Sequence, residues 1–139
     1  MSGKNDETVK VVVRIRPMSS EEERNGNLMA AEAFEQQCML TLKNPKESEN
    51  EAPKQFTFDH VFGPNVTQKH IYDLCAFSMV EAVLNGYNGT FFAYGQTGSG
   101  KTHTMEGRPD PPNLRGIIPN SFQHIFDHVG AKNLCFIKA

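Results

Sequence analysis

Gly95, Gly100, Lys101 and Thr102 stand at the fixed positions of G-x-x-x-x-G-K-S/T, in the run Gly-Gln-Thr-Gly-Ser-Gly-Lys-Thr. That spacing is what a nucleoside triphosphate needs from a protein loop. Glycines let the main chain curl until successive N–H groups point inward at phosphate oxygens. A helix opening near Lys101 brings the positive end of its dipole to the same place. Lys101 can then reach the β- and γ-phosphates as a mobile point charge, and the Thr102 hydroxyl is placed to ligate Mg²⁺. A glycine-rich hairpin tip with an exposed lysine would use the same letters. The flanks argue against it, because an apolar strand precedes the loop and a helix follows it.

Those flanks come from the pattern of the whole chain. Val9 to Ile15 reads as a buried strand of closely spaced β-branched residues, closed by Pro17, which has no N–H for a ladder. Ser19 to Asn27, with Glu21, Glu22 and Glu23, reads as a solvated loop or short turn. Cys38 to Leu42 is a second strand, Lys43 to Lys54 a loop or hairpin tip, and Phe56 to Asp59 a short half-buried strand. Thr67 offers an N-cap for a helix running to about Asn85, with Gly86 beyond its end. Ile71, Leu74, Cys75, Val80, Val83 and Leu84 would supply its buried face. Thr90 to Tyr94 is the apolar strand leading into the glycine-rich loop. Arg108 to Asn113 holds three prolines and fits neither helix nor strand. From Pro119, the residues Phe122, Ile125, Phe126 and Val129 mark an amphipathic helix, and Leu134 to Ile137 begins another strand.

The 139 residues suffice for one modest domain. With 14 basic and 16 acidic side chains the net charge is −2, so no global basic field gathers nucleic acid. Cys38, Cys75 and Cys135 are an odd, scattered set that fits core thiols in a reducing compartment better than a disulfide or zinc framework. Met1 to Thr8 is polar, without the apolar stretch of a secretory signal, and reads as a disordered tail over residues 1–8. No apolar run is long enough to cross a bilayer. The expected setting is soluble and intracellular. Taken alone, Arg14, Arg16 and Pro17 look like solvated charges at a strand end, and His103 like a partly exposed helix residue.

The segments from Val12 to Pro17, from Phe56 to Phe62 and from Gly86 to Met105, with Arg115-Gly116-Ile117-Ile118-Pro119 after them, together resemble the N-terminal part of a kinesin motor domain. They occur in family order, and the resemblance covers residues 9–139. It implies an α/β fold of the P-loop NTPase type, with a mixed central sheet flanked by helices and incomplete in this chain. It implies ATP with Mg²⁺ as the ligand. Arg14, Arg16 and Pro17 would flank the adenine, with His103 on its other side, which reverses the reading from composition. Gln96, Thr97, Gly98, Ser99, Gly100, Lys101 and Thr102 would wrap the phosphates. Lys101 and Thr102 would serve the reaction, and Thr102 the metal. The loop at Arg108 to Asn113 would split the helix that follows, and the helix from Pro119 would be its second half. Phe91 stands where the family more often has an aliphatic residue. The stretch from Pro53 to Asp59 and the sequence PDPPNLRGIIPNSF look most like the intraflagellar-transport class.

Hydrolysis needs groups that position water and answer the charge on the γ-phosphate. In the family these sit on an NxxSSRSH switch and a DxxGxE switch, and neither string occurs here. Asp110 and Asp127 fall in a loop and a helix, where no Walker-B strand precedes them. By resemblance a later strand also separates the strand at Val9 from that at Thr90, so the chain is expected to be part of a gene product. The implied function is the ATP-binding portion of a microtubule-based motor ATPase acting on the cytoplasmic cytoskeleton, with the cilium or flagellum as the setting of the intraflagellar class. Tubulin contacts would lie beyond Ala139, and any dimer would need a coiled coil for which no heptad run is present. No membrane insertion is expected. A truncated, non-hydrolysing, nucleotide-dependent binding protein is the alternative. Another P-loop enzyme, a GTPase or a myosin-like motor, fits the Arg14–Pro17 and Phe56–Phe62 segments less well.

Overall fold

The computed structural model describes residues 9–46 and 52–136, with 132–136 described by their main chain. The tail expected over residues 1–8, the middle of the Lys43–Lys54 loop and Ile137 lie outside the described residues. The chain divides into two compact units, Met1–Asn65 and Val66–Ala139.

In chain order the first unit holds β1 (Val12–Arg14), α1 (Ser20–Arg24), β2 (Ala31–Phe34), β3 (Met39–Leu42), β4 (Lys54–Thr57) and β5 (His60–Phe62). β1 pairs in parallel with β5, Val13 opposite Val61. Two further hydrogen bonds, Ile15 N–H to the Phe62 carbonyl and Asp59 N–H to the Val11 carbonyl, lengthen the pairing at each end. Val61 and Phe62 are buried. The strand is shorter than Val9 to Ile15 and only half-buried, with Val9 and Val11 exposed. A strand extends only as far as a partner's N–H and C=O groups meet it, and β5 has three residues.

β2, β3 and β4 form an antiparallel meander, with Ala33 opposite Leu40 and Leu40 opposite Phe56. β3 is the strand expected from Cys38; Cys38 itself turns left-handed at φ 51, ending a 3₁₀ turn at Glu35–Gln37. The strand expected at Phe56–Asp59 begins earlier, at Lys54, is exposed throughout, and releases Asp59 to accept a hydrogen bond from Val11 N–H at 2.7 Å. β2 had no counterpart among the sequence expectations. Parallel and antiparallel pairing thus both occur, with helices, in an α/β chain.

The acidic segment expected to be a solvated loop or short turn folds as the five-residue α1. Ser19 Oγ accepts the Glu22 N–H and Glu22 Oε2 accepts the Ser19 N–H, a reciprocal cap that closes the first turn. Glu22 also takes Arg16 in a two-toothed ion pair, at 2.7 and 2.9 Å.

The second unit holds α2 (Gln68–Ile71) and α3 (Phe77–Leu84), joined through a π-helical stretch at Tyr72–Ala76, then α4 (Lys101–Met105) and α5 (Ile117–Phe136). Thr67 caps α2 as expected, its Oγ1 accepting the His70 N–H at 3.1 Å, and Gly86 follows α3 at φ 93. The buried face matches the expected one in part, at Ile71 and Val80, with Cys75 and Leu84 half-buried. Gln68, Ile71, Tyr72, Ala76 and Val80 are buried, while Leu74 and Val83 stay exposed. A spacing of four is wider than the 3.6 of an α-helix, and the i→i+5 bonding of the π-stretch supplies the difference. Each large side chain so covered contributes roughly 1.5–3 kcal/mol.

α5 begins at Ile117, with Pro119 in the first turn, where its missing N–H costs no helical bond. Ile117 is buried and Pro119, Asn120, Ser121, His124, Ile125 and His128 are half-buried, whereas Phe122, Phe126 and Val129 are exposed and the two phenylalanines stack on each other. The reason is His124. It accepts the Tyr72 hydroxyl at Nδ1 (2.8 Å), meets Glu81 through Nε2 (2.7 Å) and stacks on Phe77. A carboxylate can only accept, so Nε2 carries a proton, and in the neutral ring Nδ1 then accepts from Tyr72. α5 continues through Leu134–Phe136, so no strand begins there; its i→i−4 bonds hold the main chain that a strand would need.

Two outcomes follow from these contacts. Tyr72→Phe keeps the ring but removes the donor to His124 Nδ1. It should lower stability by about 1–2 kcal/mol in urea unfolding of the intact protein, whereas no change would mean that the Glu81 contact and the Phe77 stack hold His124 without the Tyr72 hydroxyl. Glu22 is drawn down from 4.5 to about 2, first by the Arg16 guanidinium and then by the Ser19 N–H. A depressed folded-state value makes its contribution complete above the ordinary carboxylate range and lost as pH falls from 4.5 toward about 2. The Glu22 carboxyl carbon resonance should therefore titrate near the lower figure and move upward in Arg16→Ala.

Candidate functional site

The loop that the sequence singles out is a left-handed turn built on glycine. Gly98 and Gly100 have φ of 81 and 98, and Gly95 lies at 154. In the left-handed region an L side chain meets its own backbone, so these positions favour glycine even where space is open. At Gly95 space also matters: a Cβ would stand 2.5 Å from Ser99 Oγ. The turn is closed by Ser99 N–H to the Gln96 carbonyl at 3.1 Å.

Gly100 caps α4, and Lys101 and Thr102 form its first turn. The first intrahelical bond is Thr104 N–H to the Gly100 carbonyl. The Lys101 and Thr102 N–H groups precede it and are left for other acceptors. The Lys101 ammonium folds back over the loop and donates to the carbonyls of Gly95 (2.8 Å) and Gln96 (2.9 Å). Thr102 and His103 are exposed. One turn thus gathers Gln96, Thr97, Gly98, Ser99, Gly100, Lys101, Thr102 and His103. The donor set, an ammonium, glycine-spaced amides and the hydroxyls of Thr97, Ser99 and Thr102, suits phosphate oxygens, with the Thr102 hydroxyl as a single inner ligand to Mg²⁺. Among the described residues no cluster of His, Cys, Asp and Glu would hold a metal by itself.

Arg14, Arg16 and Pro17 lie together at the end of β1 in the first unit, whereas the loop belongs to the second. Burial lowers the pKa of Arg14 from its usual value. Arg16 is held by Glu22, and its Nη1 also donates to the Pro17 carbonyl at 2.9 Å. Glu22 was legible as a capping residue from Ser19-x-x-Glu22. A shallow depression of about 390 Å³ is lined by Val11, Thr57, Phe58 and Asp59 and by none of these residues. Its one charged group, Asp59, already accepts the Val11 N–H.

The strand expected at Thr90–Tyr94 does not form. Among the described residues this stretch enters no ladder, and Phe92 and Tyr94 are exposed. Phe91 is half-buried. Extended chain becomes strand only by pairing. The Arg108–Asn113 stretch is irregular, as expected, and passes into a 3₁₀ turn at Pro112–Leu114. It interrupts the helical path between α4 and α5. Its stem is closed by a Gly107–Arg115 bridge, by Arg108 N–H to the Leu114 carbonyl and by Gly116 N–H to the Glu106 carbonyl.

Sequence reasoning missed Gln68. Its side chain is 4% exposed, and its amide nitrogen donates to the His103 carbonyl and, at 3.4 Å, to the Leu114 carbonyl. A glutamine just after an N-cap carries no pattern that separates it from a solvated first-turn residue.

The family model for the kinesin motor domain matches residues 14–135. The chain is 50% identical over 123 residues to the kinesin-like protein klp-20 of Caenorhabditis elegans, covering 88% of this chain and 19% of that protein. It is 46% identical over 126 residues to the kinesin-like protein KIF3C of Mus musculus, covering 91% of this chain and 16% of that protein. The Bos taurus KIF3C matches at the same identity over the same share. The chain therefore spans less than a fifth of the length of these relatives. With the match running from the end of β1 through α5, the chain belongs to the kinesin motor-domain family.

Proposed function

We propose that this chain is the ATP-binding portion of a microtubule-based motor ATPase. The observation that carries the reading is the loop at Gly95–Thr102, with left-handed glycines and the Lys101 ammonium lying across it. Two carbonyl oxygens are modest partners for a full positive charge. Phosphate oxygens are better ones, because they add a full negative charge where a carbonyl offers only a dipole to the ammonium. Lys101 would leave Gly95 and Gln96 for the β- and γ-phosphates. The Lys101 and Thr102 amides would turn to the same oxygens, and the Thr102 hydroxyl would hold Mg²⁺. The metal, when bound, would neutralise charge on the phosphates. Arg14, Arg16, Pro17 and His103 are proposed adenine neighbours on the strength of the resemblance. Coupling of ATP turnover to movement, tubulin contact, and work in a cilium or flagellum extend this proposal to the longer protein, as the kinship to kinesin-like proteins supports.

In the intact protein, Lys101→Ala should weaken ATP binding by about a hundredfold, the scale of a lost charged hydrogen bond. Titration with a fluorescent ATP analogue reads this, and unaltered affinity would remove Lys101 from the site. Thr102→Val keeps the shape and removes the hydroxyl. It should raise the Mg²⁺ concentration needed for half-maximal ATP binding, with Thr102→Ser restoring it. Equal Mg²⁺ requirements in all three proteins would refute the metal role.

A further inference from the structure

α4 is a helix of five residues that carries Lys101 and Thr102. A helix this short has little stability of its own, since nucleation consumes what the few bonds return. Its direction must be imposed from outside. The last carbonyls of a helix have no following helical N–H to accept and need donors from elsewhere. Glu106 N–H and Gly107 N–H both go to the Thr102 carbonyl, at 2.8 and 3.1 Å. The His103 carbonyl is met by the Gln68 amide.

That amide reaches two places with one nitrogen. It donates to His103 in the middle of α4 and to Leu114 shortly before α5. The stem of the Arg108–Asn113 insertion therefore closes around it. The fit is tight: a Cβ on Gly107 would come within 2.8 Å of Gln68 Nε2 and 2.5 Å of Gly116 N, besides meeting the Leu114 carbonyl. Gly107 also sits at φ 69. A Cβ on Gly116 would stand 2.5 Å from the Met105 carbonyl oxygen. Gln68 itself is fixed by the Thr67 cap and by its burial at the start of α2. Burying a primary amide is costly unless it is hydrogen-bonded, so a glutamine at this place is suited to gripping backbone rather than to filling space.

We propose that Gln68 is a positioning residue for the phosphate loop: it anchors α4 at His103 and thereby aims Lys101 and Thr102 at the triphosphate. This rests on the reading of Gly95–Thr102 as the ATP site. The role predicts a loss of nucleotide affinity that is separable from a loss of stability.

Gln68→Met keeps length and volume without the donor, and Gln68→Glu places acceptor oxygens against two carbonyls. Val80→Ala, at a buried position of α3, serves as a control that lowers stability away from α4. In the intact protein, ATP affinity should fall about tenfold in Gln68→Met and further in Gln68→Glu. Val80→Ala should lose thermal stability while binding ATP as the unsubstituted protein does. Should Gln68→Met fail to fold, Gln68→Asn, whose amide stops one methylene short, carries the test with the same outcomes. Binding that is lost in Lys101→Ala yet within twofold of normal in the Gln68 variants overturns the role of Gln68 alone. A Val80→Ala protein weakened for ATP as much as Gln68→Met overturns it too. No saturable ATP binding by the unsubstituted protein removes the phosphate-loop reading, and this role with it.

Discussion

The Lys101 ammonium, bonded to the carbonyls of Gly95 and Gln96, ties the end of the glycine turn to its beginning. The turn can only be this tight because Gly98 and Gly100 accept left-handed backbone and Gly95 leaves room for Ser99. Charge, curvature and lack of side chains are thus one constraint seen three ways. An ammonium needs acceptors, the nearest are the loop's own carbonyls, and only a glycine chain bends enough to offer them. The same bend leaves the first amides of α4 facing away from helical partners. An anion arriving at the loop would meet donors on more than one side.

What steadies this turn is drawn from elements distant in sequence. α4 is too short to orient itself, and α2 supplies Gln68 to hold its last turn. α2 and α3 in turn need the π-stretch at Tyr72–Ala76, which keeps Gln68, Tyr72, Ala76 and Val80 on one side. Tyr72 then meets His124, and through it Glu81, so the polar contacts decide which face of α5 is covered. Phe122 and Phe126 are left outside although they are the more apolar residues.

The loop was legible because its chemistry is local: spacing, glycine and lysine in eight consecutive residues state it without reference to anything else. So were Thr67 as a cap and the strand at Met39–Leu42. The rest was hidden for physical reasons. β2 and the displacement of β4 to Lys54–Thr57 depend on register with β3, which no local pattern encodes. α1 was signalled by Ser19 and Glu22 as a reciprocal cap, and the acidic run concealed it. The face of the helix from Thr67 slipped because a π-stretch changes the period on which helical patterns rest. Thr90–Tyr94 has the composition of a strand, but composition does not pair it. Gln68 could not be read at all, since its importance lies in which carbonyls the fold brings to it.

Whether phosphate replaces the carbonyls at Lys101 is the most direct question this geometry poses. Lysine acetylation by a mild acylating reagent, followed by peptide mass analysis of the intact protein with and without Mg²⁺ and ATP, reads it residue by residue. Lys101 should be protected in proportion to nucleotide occupancy, with Lys69, paired to Asp73 on the exposed side of α2, unaffected. Equal modification of Lys101 at zero and saturating ATP would contradict the site.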